Sequence, residues 1–369
     1  MQEFVITLAA FILFGSLGIS PTMAASVIVG VNVVGVQQMS EQQQDALIAL
    51  LRQDGVKVVR TGIGAPFTRF ITRAYANGIG AVAIIYPTAG GASSHVRPAA
   101  PSVGLQWAEP SLADADPAKF KAWFAAQLAP LEAAGVRLTA FELGNEINGP
   151  YFNGDFLPAQ ASGRVLGLSD LTNPNDPEGR AIAASYRSYL QVMAALKEVR
   201  DRSTINRTTP ILSAGLADGG LPGKKPGQRL DGVSIPATLE FFRQNGVDKM
   251  VDGYAVHVYP SGNPSLTVSE RVDTLNKDAF ALCTSAKPCW LTEWGFNNND
   301  KSCPVDDAKR VQLIGAMRDA LTQFARPRAV GRSRVFFLGW PSRRGRIDRV
   351  QVRRPHRRRK TGPEPDVMR

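Results

Sequence analysis

The chain has 369 residues, with 43 Lys and Arg against 32 Asp and Glu, 44% hydrophobic residues and a mean hydropathy of -0.11. That composition excludes a disordered polyampholyte, a collagen-like fibre and a polytopic membrane protein, and the length suits one large domain or two small ones. The net charge of +11 would point to an anionic partner if it were spread evenly, but residues 341–369 alone hold 11 basic and three acidic side chains. Residues 1–340 carry only +3.

Residues 1–25 read as an export signal: an apolar run from Val5 to Ile19, then Pro21 and the small residues Thr22 to Ser26. The run is too short to span a bilayer. Glu3 departs from the basic start usual in such segments. A secreted or periplasmic protein is expected, with its folded domain over residues 26–340.

From there the chain repeats a unit of amphipathic helix, Gly and short β-branched strand. Asp54-Gly55, Asn77-Gly78, Ala134-Gly135 and Asn245-Gly246 each precede an apolar run. The glycines stand where a helix C-terminus needs a left-handed residue, and the runs suit parallel strands. Strands are predicted near 27–34, 56–60, 81–86, 138–143, 210–213, 253–257, 290–293 and 335–340. Helices are predicted over 40–53 behind an N-cap Ser40, and over 117–134, 179–202 and 305–324. Eight alternating units predict an α/β fold, a (β/α)8 barrel of the triosephosphate isomerase type, with no evident last helix after Trp340. A doubly wound sheet is the alternative, but no GxGxxG follows the first strand.

The long connections, 87–116, 149–178 and 214–235, all run from strand to helix. In such a barrel they meet on the face where active sites are built. They carry Trp107, Tyr151, Phe152 and Phe156, from which an aromatic-lined cleft is expected. Cys283 and Cys289 bracket a short turn compatible with a disulfide in an oxidising compartment, and Cys303 could pair with either. Only His95, His257 and His356 are present and none lies near those cysteines, so neither a metal nor a cofactor is expected. The Arg-rich stretch after 340 has no apolar period and is expected to be disordered. It reads either as a tether for nucleic acid or another anionic polymer, or as a solvated or out-of-frame tail. Its lack of aromatic residues favours the second, and no nucleic-acid partner is expected.

The fourth predicted strand ends in Glu142-Leu-Gly-Asn145-Glu146, and the seventh in Thr292-Glu293-Trp294-Gly. A carboxylate at the end of an apolar strand is costly to bury. Two of them facing each other across a cleft supply what acetal hydrolysis needs: one acid for the leaving oxygen and one carboxylate to attack or to activate water. Glu142, inside its strand, reads as structural. The Asn297 to Asp300 cluster reads as a polar turn.

On these motifs the chain resembles the clan A retaining glycoside hydrolases, family 5-like and family 39-like, without a distinct family. The resemblance spans residues 26–340 and implies Glu146 as acid/base and Glu293 as nucleophile. It further implies Arg60 as the residue keeping the nucleophile ionised, Asn145, His257 and Tyr259 as substrate contacts, and Trp340 as the aromatic floor. Trp294 offers either a sugar-stacking face or a core side chain. Ile147 stands where family 5 often has Pro. A monomeric β-glycosidase acting on a carbohydrate is therefore expected, with a non-catalytic carbohydrate-binding barrel as the alternative.

Overall fold

The computed structural model describes residues 28–103, 105, 107–157, 163–217, 231–258, 287–294, 315, 316, 319 and 336–339. The expected signal segment, Tyr259, Cys283, Cys303, residues 297–300, Trp340 and the basic tail lie outside the described residues. Of the helix expected over 305–324, residues 315, 316 and 319 are described and helical.

The eight expected strands all form. They are β1 (Ile28–Asn32), β2 (Val58–Gly62), β3 (Gly80–Ile85), β6 (Ala140–Leu143), a fifth in two pieces, β8 (Ile211–Leu212) and β9 (Leu216–Ala217), then β11 (Tyr254–Val258), β12 (Cys289–Trp294) and β13 (Phe336–Gly339). They build one parallel sheet in the order β8-β6-β3-β2-β1-β13-β12-β11-β9. The outermost pieces, β8 and β9, are both parts of segment 211–217. Within it Leu212 also bridges Gly253, and Gly215 bridges Asn145, both in parallel.

The connecting helices follow their sequence signals. α1 (Glu41–Gln53) starts at Ser40, whose hydroxyl accepts from the Gln43 amide while the Gln43 side chain returns the bond, a complete capping box. α3 (Pro117–Ala133) and α5 (Pro177–Arg202) begin with Pro behind Asp116 and Asp176, whose carboxylates accept amide bonds of the first turn. α2 (Ala65–Ala76) and α6 (Ile235–Gln244) complete the larger helices. No helix among the described residues is long and apolar enough to cross a membrane.

Alternation along the strands separates two cores. One set of side chains, including Val59, Phe141, Val256 and Leu291, joins the helix-facing core with Phe70, Phe124 and Leu196. The other, Val58, Val82, Ala140, Leu212, Ala255 and Trp290, forms a separate apolar layer with one residue from each of six strands. Two residues further along the same face of their strands come Arg60, Glu142, His257 and Thr292. All four are fully or almost fully buried, so the polar cluster sits directly above that layer.

The long connections carry short elements that the sequence did not announce. A hairpin of β4 (Val96–Arg97) and β5 (Glu109–Pro110) occupies the first. β7 (Val165–Leu166), followed by α4 (Leu168–Thr172), pairs in parallel with β10 (Gly232–Val233) and ties the second to the third.

Candidate active site

Arg60, in the middle of β2, is completely buried. Its guanidinium donates from Nε to Glu142 Oε2 at 2.7 Å, from Nη2 to Glu142 Oε1 at 2.8 Å and to Asn145 Oδ1 at 2.9 Å, and from Nη1 to Glu293 Oε1. Burial opposes the cation, but Glu142 and Glu293 outweigh it and hold Arg60 above its ordinary range. Glu142 is also buried, and burial favours its neutral form. The Arg60 charge and the bonds from His257 and Arg60 prevail, bringing it down from 4.5 to about 2. Thr292 Oγ1 donates to it as well, at 3.0 Å.

His257 is fully buried among three carboxylates. Its Nδ1 lies 2.9 Å from Glu146 Oε1, and its Nε2 lies 3.5 Å from Glu142 Oε1 and 3.8 Å from Glu293 Oε1. Burial disfavours the imidazolium. The Glu293 charge and the hydrogen bonds to Glu142 and Glu146 overcome burial and the opposing Arg60, and push His257 up from 6.5 to about 9. The cationic form gives Nδ1 a proton to donate to Glu146.

Two backbone irregularities aim the exposed carboxylates. β12 holds one residue more than either neighbour. His257 pairs with Glu293 directly after Val256 pairs with Leu291, and on the other side Trp294 pairs with Gly339 after Leu291 pairs with Phe337. This bulge turns Thr292 toward Glu142 while bringing Glu293 beside His257 and Arg60. Glu146 has φ 45°, the one non-glycine residue with positive φ among those described. That conformation costs about 1–3 kcal/mol. It is held by the Glu146 amide donating to Gly215 O at 2.7 Å and by Gly149 N donating to Glu146 O at 2.9 Å. One carboxylate oxygen of Glu146, one of Glu293 and a ring nitrogen of His257 lie within 4.8 Å of one another. The Glu146 and Glu293 side chains are 24% and 12% exposed, so both reach solvent from a buried base.

The structure thus gathers Arg60 from the middle of β2 with Asn145, Glu146, His257 and Glu293 from the ends of β6, β11 and β12, residues that lie far apart in sequence. Trp294 is 5% exposed and packs in the helix-facing core, which removes it from the substrate contacts. The bulge explains this, since the extra residue puts Trp294 on the opposite face from Thr292. Phe156 is likewise buried in the core rather than lining a cleft. Cys289 is disulfide-bonded, and its partner lies outside the described residues. Sequence reading passed over Thr292 and Gly215. A Cβ on Gly215 would stand 2.0 Å from His257 Nε2 and 2.6 Å from Glu142 Oε1. Only a glycine just after the fifth predicted strand hinted at it.

The Glu146–Glu293–His257 triangle has the ligand types of a metal site, but the Arg60 guanidinium already donates to Glu293 Oε1 and stands 3.3 Å from His257 Nε2, so a fixed positive charge already sits against this donor set. What the arrangement offers is two carboxyl groups facing one space, one beside a guanidinium and one beside an imidazolium.

No protein-family model matches the sequence, and no curated protein sequence matches it. Among solved structures, the chain is similar to a fungal β-1,4-galactanase with 15% identity and a TM-score of 0.50, covering 84% of this chain and 88% of that one. It is also similar to a Bacteroides uniformis β-glucuronidase (8% identity, TM-score 0.48), covering 86% of this chain but 30% of that one. An endo-1,4-β-D-mannanase of Thermotoga petrophila has 13% identity and a TM-score of 0.44, covering 87% and 90%. These neighbours are glycoside hydrolases; the likeness to the galactanase, at 15% identity, concerns the fold alone, an α/β fold on a parallel sheet.

Proposed function

We propose that the chain is an exported, retaining β-glycosidase of clan A that hydrolyses O-glycosidic bonds in a polysaccharide or glycoside. We also propose that its sheet closes into a (β/α)8 barrel, with 211–217 as the fifth strand. Hydrogen bonding of that one segment to β6 on one side and to β11 on the other supports closure, as does the single apolar layer drawn from six strands.

One observation carries the functional reading: one carboxylate oxygen of Glu146 and one of Glu293 approach within 4.8 Å, a nearest approach that suits the shorter of the two carboxyl spacings glycosidases use. Retaining glycosidases hold their carboxyl groups about 5–5.5 Å apart, and inverting ones about 6.5–9.5 Å. Glu293, ionised beside Arg60, attacks the anomeric carbon while Glu146 gives its proton to the departing oxygen. The C–O bond to the aglycone breaks as the glycosyl ester to Glu293 forms. His257 Nδ1–H then stabilises the Glu146 carboxylate that remains. Glu146 next takes a proton from water, whose oxygen attacks the same carbon and releases Glu293. Asn145, fixed by Arg60 through its Oδ1, keeps its amide NH2 for a sugar hydroxyl. We assign Tyr259 and Trp340 to substrate contact on the resemblance alone.

Wild-type protein is to be assayed on a panel of aryl β-glycosides and polysaccharides beside Glu146→Gln and Glu293→Gln. Each substitution is expected to cut turnover at least about 10³-fold, within the usual contribution of a positioned acid or base. Undiminished turnover in either variant would remove that residue from the mechanism.

A further inference from the structure

The exposed apolar surface is unevenly placed. Among the described residues, the large hydrophobic side chains that are well exposed are Val34, Tyr86, Val96, Trp107, Leu157 and Val165, all beyond the C-terminal ends of main-sheet strands, and Tyr75 on a helix. These six side chains therefore lie on connections at the strand ends that hold Glu146 and Glu293, and form the apolar rim of that side.

Within that rim stands a carboxyl group with no assigned role. Glu109 lies on β5 opposite Arg97 of β4, but the Arg97 guanidinium donates instead to the Pro150 carbonyl at 2.6 Å and the Asn153 carbonyl at 3.2 Å. The Glu109 side chain is half-buried, and its carboxyl has no hydrogen bond or ion pair among the described residues. A carboxyl group stripped of water without a replacement donor is costly. Burial pushes Glu109 up from 4.5 to about 7 against the pull of Arg97.

Tyr86 links this group to the reaction centre. It stands just beyond β3, 45% exposed, and feels the charges of Arg60, Glu109, Glu293 and Glu142. Its ring stacks on Phe152 at 6.4 Å and 22°, six residues beyond Glu146. Trp107, 50% exposed, leans on Tyr151 at 6.0 Å, and its Nε1–H donates to the Tyr151 carbonyl at 3.2 Å. Both rings are thus braced by the segment that follows Glu146. Aromatic faces for C–H surfaces and a carboxyl for paired hydroxyls are what a neutral sugar requires. An anionic ligand would meet the Glu109 carboxyl, while both Nη atoms of Arg97 are taken by backbone carbonyls and its Nε is buried.

Resting on the glycosidase reading, we infer that the β4–β5 hairpin and the segment after Glu146 form a sugar-binding subsite beside the reaction centre. Glu109 is its hydrogen-bonding carboxyl, Tyr86 and Trp107 are its stacking faces, and the substrate is an oligosaccharide chain rather than a single-sugar glycoside.

The test compares kcat/KM on aryl β-galactoside, β-mannoside and β-glucoside with the matching aryl β-1,4-linked disaccharides, for the wild type, Glu109→Ala, Glu109→Gln and Tyr86→Ala. The disaccharide is expected to exceed its monosaccharide at least tenfold in the wild type. That ratio should fall at least fivefold in Glu109→Ala and Tyr86→Ala, with Glu109→Gln retaining part of it. A ratio unchanged within about twofold, in variants whose thermal melts match the wild type, overturns the subsite and leaves the glycosidase reading intact. If the wild type turns over no member of the panel, the glycosidase reading fails. Tryptophan fluorescence titration with β-1,4-linked tetraoses of the same sugars then decides the subsite. Saturable binding weakened by Glu109→Ala supports it, and no saturable binding overturns it.

Discussion

Gly55, Gly78, Gly135 and Gly246 lead into strands at the N-terminal side of the sheet. All have φ between 72° and 85°, and a Cβ on any of them would meet nothing within 4 Å. Gly215, at the other end of the strands, would drive a Cβ into His257 and Glu142. The first four are glycines because the backbone turns left there. Gly215 is glycine because a charge cluster passes close by. One side of the sheet is thus fixed by local conformation, and the other by contacts between residues as much as 233 positions apart, as Arg60 and Glu293 are. Disturbing the two sides should therefore give different kinds of damage.

The largest expected effect is on the charged side. Arg60→Met leaves Glu142 buried without its bidentate partner and should lower stability by about 3–5 kcal/mol, measured by urea unfolding. A cost near that of a turn glycine would break the comparison. Next comes pH. His257 has its folded value raised to about 9, so its contribution is complete below about 6.5 and is lost as pH rises through 9. Glu142 has its folded value lowered to about 2, so its contribution is complete above about 4.5 and is lost as pH falls toward 2. The melting temperature should therefore plateau between about pH 4.5 and 6.5 and fall on both sides, each limb worth on the order of a few kcal/mol. A melting temperature that rises from pH 7 to 9 would contradict the imidazolium. Gly215→Ala overpacks the cluster and should cost about 1–3 kcal/mol together with most of the turnover. Gly78→Ala forces a left-handed alanine and should cost about 1 kcal/mol with turnover preserved, read by melting and by the aryl-glycoside assay.

The same division explains what the sequence disclosed. Parallel strands are short apolar runs, Ser40 marks one helix start and a glycine follows several helix ends, so all eight strands and those helix ends could be placed from local signals, whereas the Asp116 and Asp176 caps emerged only from the structure. Glu146 and Glu293 stood out because charge at the end of an apolar strand is expensive. The fifth strand's interruption at 213–215 could not be read, because Ser213, Ala214 and Gly215 are shaped by neighbours on β6 and β11. Nor could Trp294, whose side is decided by a bulge that only pairing with β11 and β13 reveals. The hairpin partners Arg97 and Glu109 and the β7–β10 pair depend on loop-to-loop contacts with no periodic signature. Glu142 read as structural, and its place as the hub joining Arg60, Thr292 and His257 came only from the folded geometry.

The central claim is that Glu146 and Glu293 are close enough for a covalent double displacement. Proton NMR of the first sugar released from an active aryl β-glycoside tests it most directly. The β-anomer should appear first and then mutarotate. Initial release of the α-anomer would contradict the claim, because inversion requires direct attack by water in place of Glu293.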